Sequence, residues 1–190
     1  MTNWYHRKLT QLQYNSNVFD DIIGYAKSTT WKHKGSTTGE MWADKNDVLW
    51  NVNELDLSVD QFPILQEIFD GLQLEFKRPR FYVSSVPAGG LSNHIDHQKW
   101  GNFGFPLVGN FAESPQYYYD PFNHPVEHFV LDTPIIFSTR MLHGVPRSKN
   151  STSARWILMM EIYEWMDHVF KKVDNDTIWK DTKNFKWLTN

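Results

Sequence analysis

The sequence predicts an α+β fold dominated by β-structure: a small closed barrel or two-sheet jelly roll with helices packed beside it. Three observations carry that expectation. After residue 78 the chain breaks into short β-branched or aromatic segments separated by Pro, Gly, Asn and Ser. With one more strand around His94 these number eight, which suits a small barrel or a jelly roll. Before residue 75, two stretches instead carry apolar residues at helical spacing. The composition is that of a globular chain, 16% aromatic with nine Trp and 22% charged over 190 residues, long enough for one substantial core.

In chain order, "NVFDDIIGYAKS" places Val18, Phe19, Ile22, Ile23 and Ala26 at helical spacing, with Asn17 or Ser16 as the cap. "TTWKHKGSTTGEMWADKNDVLWNVN" has no such period and reads as loops around one hairpin. "SVDQFPILQEIFDGL" opens with Ser58 and Gln61 at capping-box spacing and continues through Phe62, Leu65, Ile68, Phe69 and Leu72. Pro63 falls in the first turn of that helix, where its missing N–H has no partner to lose. The strand candidates follow: "RFYVSSV", "HIDH", "NFGFPLVGN", "QYYYD", "EHFVLD", "PIIFSTR", "HGVPRS" and "ARWILMMEIY". The tail from Trp165 is a terminal helix with aromatic anchors or further strand. With no repeat or linker in view, the expectation is one domain over 1–190. Helices and loops fill 1–77, the jelly-roll core 78–163, and a C-terminal extension 164–190.

Charge and composition exclude several function classes. The formal net charge is −3 with no block of Lys or Arg, so nucleic acid is not an expected partner, because phosphate binding needs a concentrated basic surface. The short run Lys77-Arg78-Pro79-Arg80 reads as a small basic patch or, at least as well, as the solvated start of a strand. There is no cysteine, which rules out a disulfide scaffold, a thiolate metal site and a Cys nucleophile. "MTNWYHRKLTQLQYN" lacks the apolar core of a signal peptide, and no apolar run approaches membrane-spanning length. The expected location is therefore the cytoplasm, with no membrane partner. Asn150-Ser151-Thr152 fits a glycosylation acceptor but carries no weight without a secretion signal.

The chemistry concentrates in "GGLSNHIDHQKWGNFGFPL", residues 89–107, around His94-Ile95-Asp96. Alone this is a weak motif, since roughly 0.6 such triplets arise by chance in this composition. On a strand, however, His94 and Asp96 point to one face and Ile95 to the other, so one edge offers an imidazole and a carboxylate to a single ion. "PIIFSTRMLHGVPRS" is the best source of a third ligand, His143. Two His and one carboxylate with open positions form the facial triad of non-haem Fe(II) oxygenases. Downstream, the chain reads as a hairpin turning at Lys149-Asn150-Ser151, which sets Arg155 nearly opposite His143 on a shared face. A buried guanidinium there demands an anion, and a dicarboxylate supplies one in the bidentate geometry Arg favours.

Other histidines and arginines have plainer readings. His97 faces away from His94 and suits core packing. Arg147 shares the face of His143 and is the rival anchor, otherwise a rim residue; Arg140 suits an exposed strand end. "HPVEH", His124 to His128, matches a zinc-peptidase motif that needs both histidines on one helix face, but Pro121, Pro125 and the strand-like "FVLDTPIIF" oppose a helix there. "QYYYD" and Trp100 suit core or cross-strand pairs, or a substrate mouth.

On these residues the chain resembles the Fe(II)/2-oxoglutarate-dependent oxygenases, whose signature is His-x-Asp, a distal His and an Arg one strand later. The likeness covers roughly residues 78–163, and "VPAGGLSNHIDH" is similar to the approach to the first ligand in the prolyl and aspartyl/asparaginyl hydroxylase branches. The resemblance implies a double-stranded β-helix (jelly-roll, cupin-like) core with iron on His94, Asp96 and His143. It implies the far carboxylate of 2-oxoglutarate on Arg155, with Tyr82 and Asn102 as further cosubstrate contacts. The implied reaction uses O2 and yields succinate and CO2, and because Asp96 is present, hydroxylation fits better than halogenation. The chain departs from the branch pattern in three places. Asn102 stands where the aspartyl/asparaginyl branch has Arg, His143 and Arg155 are twelve residues apart, and Trp156 and Ile157 replace the Arg-x-Ser anchor. The substrate thus stays open: a peptide or protein side chain, an amino acid or another small metabolite. The rival from another class is a non-catalytic cupin-like metal- or ligand-binding barrel.

Overall fold

The structure is a computed structural model and describes residues 5–34, 52–86, 91–96, 99–113, 115–146 and 154–189. In chain order these contain β1 (His6–Lys8), β2 (Leu12–Gln13), a 3-10 turn (Ser16–Phe19) running into α1 (Asp20–Ser28), β3 (Lys32–Lys34) and β4 (Val52–Leu57). Next come α2 (Pro63–Gly71), β5 (Lys77–Val86), β6 (Leu91–His94), β7 (Gly101–Val108), a 3-10 turn (Phe111–Glu113) and β8 (Gln116–Tyr119). The chain closes with β9 (Pro125–Phe129), β10 (Ile135–Ser138), β11 (His143–Val145), β12 (Arg155–Ile162), α3 (Met166–Asp174) and β13 (Lys186–Trp187).

A seven-stranded sheet, ordered β1-β10-β7-β12-β5-β4-β3, opposes a four-stranded sheet ordered β6-β11-β8-β9. All pairings are antiparallel. Strands β10, β7, β12 and β5 of the large sheet, with the four of the small sheet, are the eight strands expected from the sequence. Consecutive strands from β5 to β8 alternate between sheets, which is the winding of a jelly roll. The fold is mainly β, with few helices around this core.

Alternation along β12 divides the interior into two layers. Leu158, Met160 and Ile162 face outward and join Phe81, Val83, Phe103, Phe105 and Ile136 in a core covered by α1, α2 and α3. Leu65, Ile68, Ile22, Val169 and Phe170 fill it from the helices, each fully buried side chain contributing roughly 1.5–3 kcal/mol. Ile157 and Met159 face the other way, onto Tyr118 and Phe129 of the small sheet, and with Tyr82, Ile135 and Phe137 form the inner layer. Arg155 and Glu161 share that inner parity at the two ends of the strand.

The helices form where their apolar spacing puts them, with one shift. Ser58 and Gln61 do not cap a helix: the Ser58 carbonyl accepts from the Gln61 and Phe62 amides and makes a turn. α2 starts at Pro63, which takes the first helical position after Phe62, as the ring's preset φ favours. The loop stretch after α1 does contain a hairpin-like pair, β3 with β4. The tail is both things the sequence allowed: α3 is a helix, and β13 pairs with β2.

Two pairing expectations are overturned. β11 and β12 do not form a hairpin: β11 pairs with β6 and β8, and β12 pairs with β5 and β7 in the other sheet. Arg155 lies opposite Val86, not opposite His143. β12 belongs to the large sheet, where it bridges β5 and β7. Also, β6 ends at His94, so Asp96 is not a strand residue placed by alternation. It follows the strand, held by its amide donating to the Thr139 carbonyl at 2.9 Å. The fifth strand begins at Pro125 and ends at Phe129, earlier than "EHFVLD" implied. His97, Arg147 and the turn at 149–151 lie outside the described residues.

Candidate metal centre

His94 and His143 are direct partners in the β6–β11 pair, so their side chains share the inner face and their rings meet at 4.3 Å between centroids. Asp96 completes the group, with Oδ1 3.7 Å from His94 Nε2. Each residue offers one ligand atom, and the three atoms lie within 4.8 Å of one another. The three residues singled out in the sequence are thus brought together. Among the described residues no other group of three His, Asp or Glu side chains has this arrangement.

Their protonation suits a cation. His143 is buried, and burial first, then the neighbouring His94 imidazole, pulls its pKa down to about 3 against the opposing pull of Asp96. Its Nδ1 lies 2.7 Å from the Met141 carbonyl oxygen. A carbonyl only accepts, so Nδ1 carries the proton and Nε2 keeps the lone pair a metal uses. For Asp96, burial pushes the pKa up, but the Lys99 ammonium and the two imidazoles outweigh it and hold the carboxyl below its ordinary range. The donor set of two imidazoles and one carboxylate fits Fe(II) with positions to spare.

The cosubstrate candidates sit on the large sheet's inner face. Arg155 is 2% exposed. Its Nη2 donates to Gln116 Oε1 across the sandwich at 3.4 Å. Gln116 is two residues along β8 from Tyr118, the residue paired with His143, a step of about 7 Å. Arg155 therefore reaches the compartment that holds the triad although the expected hairpin does not exist. Burial lowers its pKa to about 9. Tyr82 is buried on β5, its hydroxyl 3.4 Å from Asn102 Oδ1. Burial raises that hydroxyl to about 12. Asn102 is itself buried, opposite Glu161 in the β7–β12 pair.

Two residues at this centre were missed in the sequence. Lys99 donates to Tyr82 Oη at 2.9 Å and lies 3.5 Å from Asp96 Oδ2 and 3.7 Å from Glu161 Oε1. Glu161 in turn accepts from Arg80 and Tyr163, and Arg80 reaches Glu54 and Asp56. A lysine three residues beyond Asp96 carries no motif, so only the chain path after β6 reveals it. Of the remaining readings, His124 immediately precedes β9 and His128 lies within it, exposed, which removes the helical zinc-peptidase arrangement. Tyr117 stacks on His128. Trp100 is sandwiched between the Arg140 guanidinium and Trp165.

By sequence, no family model and no curated protein matches the chain. By structure, it is similar to a prolyl hydroxylase from Trichoplax adhaerens, in complex with a hypoxia inducible factor oxygen degradation domain peptide fragment. The identity is 13% and the TM-score 0.55, covering 80% of this chain and 82% of that one. A prolyl-4-hydroxylase from Pseudomonas putida aligns at 13% identity and a TM-score of 0.48, covering 80% and 91%. Hazelnut (Corylus avellana) vicilin aligns at 11% and 0.37, covering 76% of this chain and 36% of that one. The first likeness shows the fold: the jelly roll of a prolyl hydroxylase, here with a His-Asp-His group between its sheets.

Proposed function

We propose that the chain is an Fe(II)- and 2-oxoglutarate-dependent dioxygenase that hydroxylates a peptide or protein side chain or a small amino-acid-like substrate. The observation that carries this reading is the convergence of His94, Asp96 and His143 within 4.8 Å. Those residues would hold the iron, and Arg155, Tyr82 and Asn102 the cosubstrate. Bound there, iron and 2-oxoglutarate supply O2-dependent oxidation, with succinate and CO2 formed as the substrate C–H becomes C–OH. The chain's part is preparation. His143 is already neutral and Asp96 already ionised at neutral pH, so neither must lose a proton to bind a cation. Tyr82 stays protonated and keeps a hydroxyl to donate. Arg155 offers a forked donor to a carboxylate in a site walled by Ile157, Met159 and Phe129, where exclusion of water strengthens such a bond.

The test is the conversion of 2-oxoglutarate to succinate by the Fe(II)-loaded protein, run with panels of peptides and amino acids and read by mass spectrometry. The Trichoplax enzyme is described with a peptide, which puts peptides first in the panel. Metal uptake without any 2-oxoglutarate turnover across the panels would instead mark a binding barrel.

A further inference from the structure

We propose that Lys99 is a positioning residue for Asp96, an inference that rests on the metal reading above: its ammonium holds one carboxylate oxygen so that the other stays aimed at the two histidines. The two oxygens of Asp96 divide in this way in the structure. Oδ1 faces His94 Nε2 at 3.7 Å, and Oδ2 faces Lys99 Nζ at 3.5 Å. β6 stops at His94, so no strand pairing constrains Asp96, and an aspartate carboxyl turns readily because its terminal torsion is broad and two-fold. A second contact is needed to fix its plane, and among the described residues Lys99 supplies it.

Lys99 is itself well held. An ammonium has three donors, and three acceptors surround this one: Asp96 Oδ2, Tyr82 Oη at 2.9 Å and Glu161 Oε1 at 3.7 Å. Its side chain is 11% exposed, and its carbonyl accepts from Thr139 Oγ1 at 3.5 Å. The same Thr139 carbonyl holds the Asp96 amide. Lys99 thereby ties the metal-binding end of the small sheet to the inner faces of β5 and β12. This placement has an electrostatic cost, because an ammonium repels a nearby dication. The two ideas therefore predict opposite signs. If Lys99 acted only through its charge, removing it would tighten metal binding; if it positions Asp96, removing it weakens binding.

Anaerobic titration of the full chain with Co(II) alone, followed through the d–d absorption bands, decides between them. Lys99→Met should bind Co(II) about 10–100-fold more weakly, the usual loss when a residue supporting a metal ligand is removed, and with an altered band pattern. Lys99→Arg, which restores a cationic donor, should recover most of the affinity. Since Lys99→Met leaves Glu161 and Asp96 without their shared cation, the double variant Lys99→Met/Glu161→Gln guards against a folding failure and should show the same weakening. Wild-type or tighter affinity in Lys99→Met, or recovery in the double variant, overturns the proposal while leaving the metal centre intact. Wild-type protein that takes up no Co(II) overturns the metal reading and this proposal with it.

Discussion

Two largely buried cations, Lys99 and Arg155, face the inside of the sandwich, and they are treated differently. Lys99 is surrounded by acceptors: burial alone would lower its pKa, but Tyr82, Asp96 and Glu161 raise it. Arg155 meets the neutral amide of Gln116, and burial pulls its guanidinium down to about 9. At Lys99 the neighbouring acceptors outweigh desolvation, whereas at Arg155 desolvation prevails and strains the charge. A carboxylate that enters beside Arg155 gains a charge-assisted bond and relieves part of that strain. A carboxylate that enters beside Lys99 must compete with Asp96 and Glu161. On the proposed function, the contrast suits the metal to the Lys99 end and the cosubstrate's far carboxylate to the Arg155 end.

The largest effect should come from the metal end. His143→Ala removes a buried ligand and should abolish both turnover and the visible charge-transfer band that Fe(II) plus 2-oxoglutarate gives anaerobically. Asp96→Ala should do the same, whereas Asp132→Ala, an exposed residue paired with Lys8, should be mild. Full band intensity in His143→Ala would break the assignment of the metal end. At the other end, Arg155→Gln should raise the apparent 2-oxoglutarate constant on the order of a hundredfold, equivalent to losing about 2–3 kcal/mol, with Fe(II) affinity little changed. Arg147→Gln should shift it severalfold at most. The reverse ranking in steady-state assays would move the anchor to Arg147.

The eight core strands, two of the helices and the three members of the His-Asp-His group were legible in the sequence, because alternation, helical spacing and residue type are local signals. What was not legible was pairing. The chain from His143 to Arg155 has the local look of a hairpin, and only the demand of β5 and β7 for a strand between them sends β12 to the other sheet. The Arg155 reading nonetheless arrived at an interior residue, since inward parity at the head of an apolar strand does not depend on which neighbour it pairs with. Asp96 shows the same mixture: the right residue, placed by a hydrogen bond to Thr139 instead of by strand alternation. Lys99 and Glu161 were missed because a lone charge in a loop or an apolar strand has no spacing to announce it; its meaning comes from partners up to 81 residues away, as with Arg80 and Glu161.

A smaller effect should follow from Gly144, which lies between His143 and Val145. A Cβ there would stand 2.3 Å from Asn93 Oδ1 and 2.9 Å from the Leu91 carbonyl oxygen. The side-chain amide has some room to move, but the backbone oxygen belongs to β6, which carries His94. Gly144→Ala should therefore push β6 and β11 apart, cost about 1–3 kcal/mol of stability as overpacking does, and weaken Co(II) binding roughly tenfold by separating the two imidazoles. Arg155's end should not notice, so the 2-oxoglutarate constant measured at saturating metal should stay within a few-fold. Equal damage to both constants would mean that the two ends are mechanically one unit.

The smallest effect tests a third base on the same inner face, His6, which pairs with Phe137 across β1 and β10 and stacks on Phe129. Unlike Lys99 and Arg155 it is kept neutral: burial first, then Lys8 and Arg7, lower its pKa from 6.5 to about 4. Its folded pKa lies below the unfolded one, so the unfolded chain takes up the proton first as pH falls. Stability is therefore lost from about pH 6.5 downward, until the folded pKa is reached and the slope vanishes. Between pH 7 and 5.5 that amounts to about 1 kcal/mol. In the metal-free protein His143 titrates in the same sense, so the clean comparison is between variants. His6→Phe keeps a ring on Phe129 and has no proton to gain; its urea midpoint should fall less than the wild type's over that interval. Identical pH slopes would show that His6 keeps its ordinary pKa in the folded chain, and a smaller fall in the wild type than in the variant would show it protonated there, sharing its charge with Glu127 3.8 Å away. The inner face would then carry three cations instead of two.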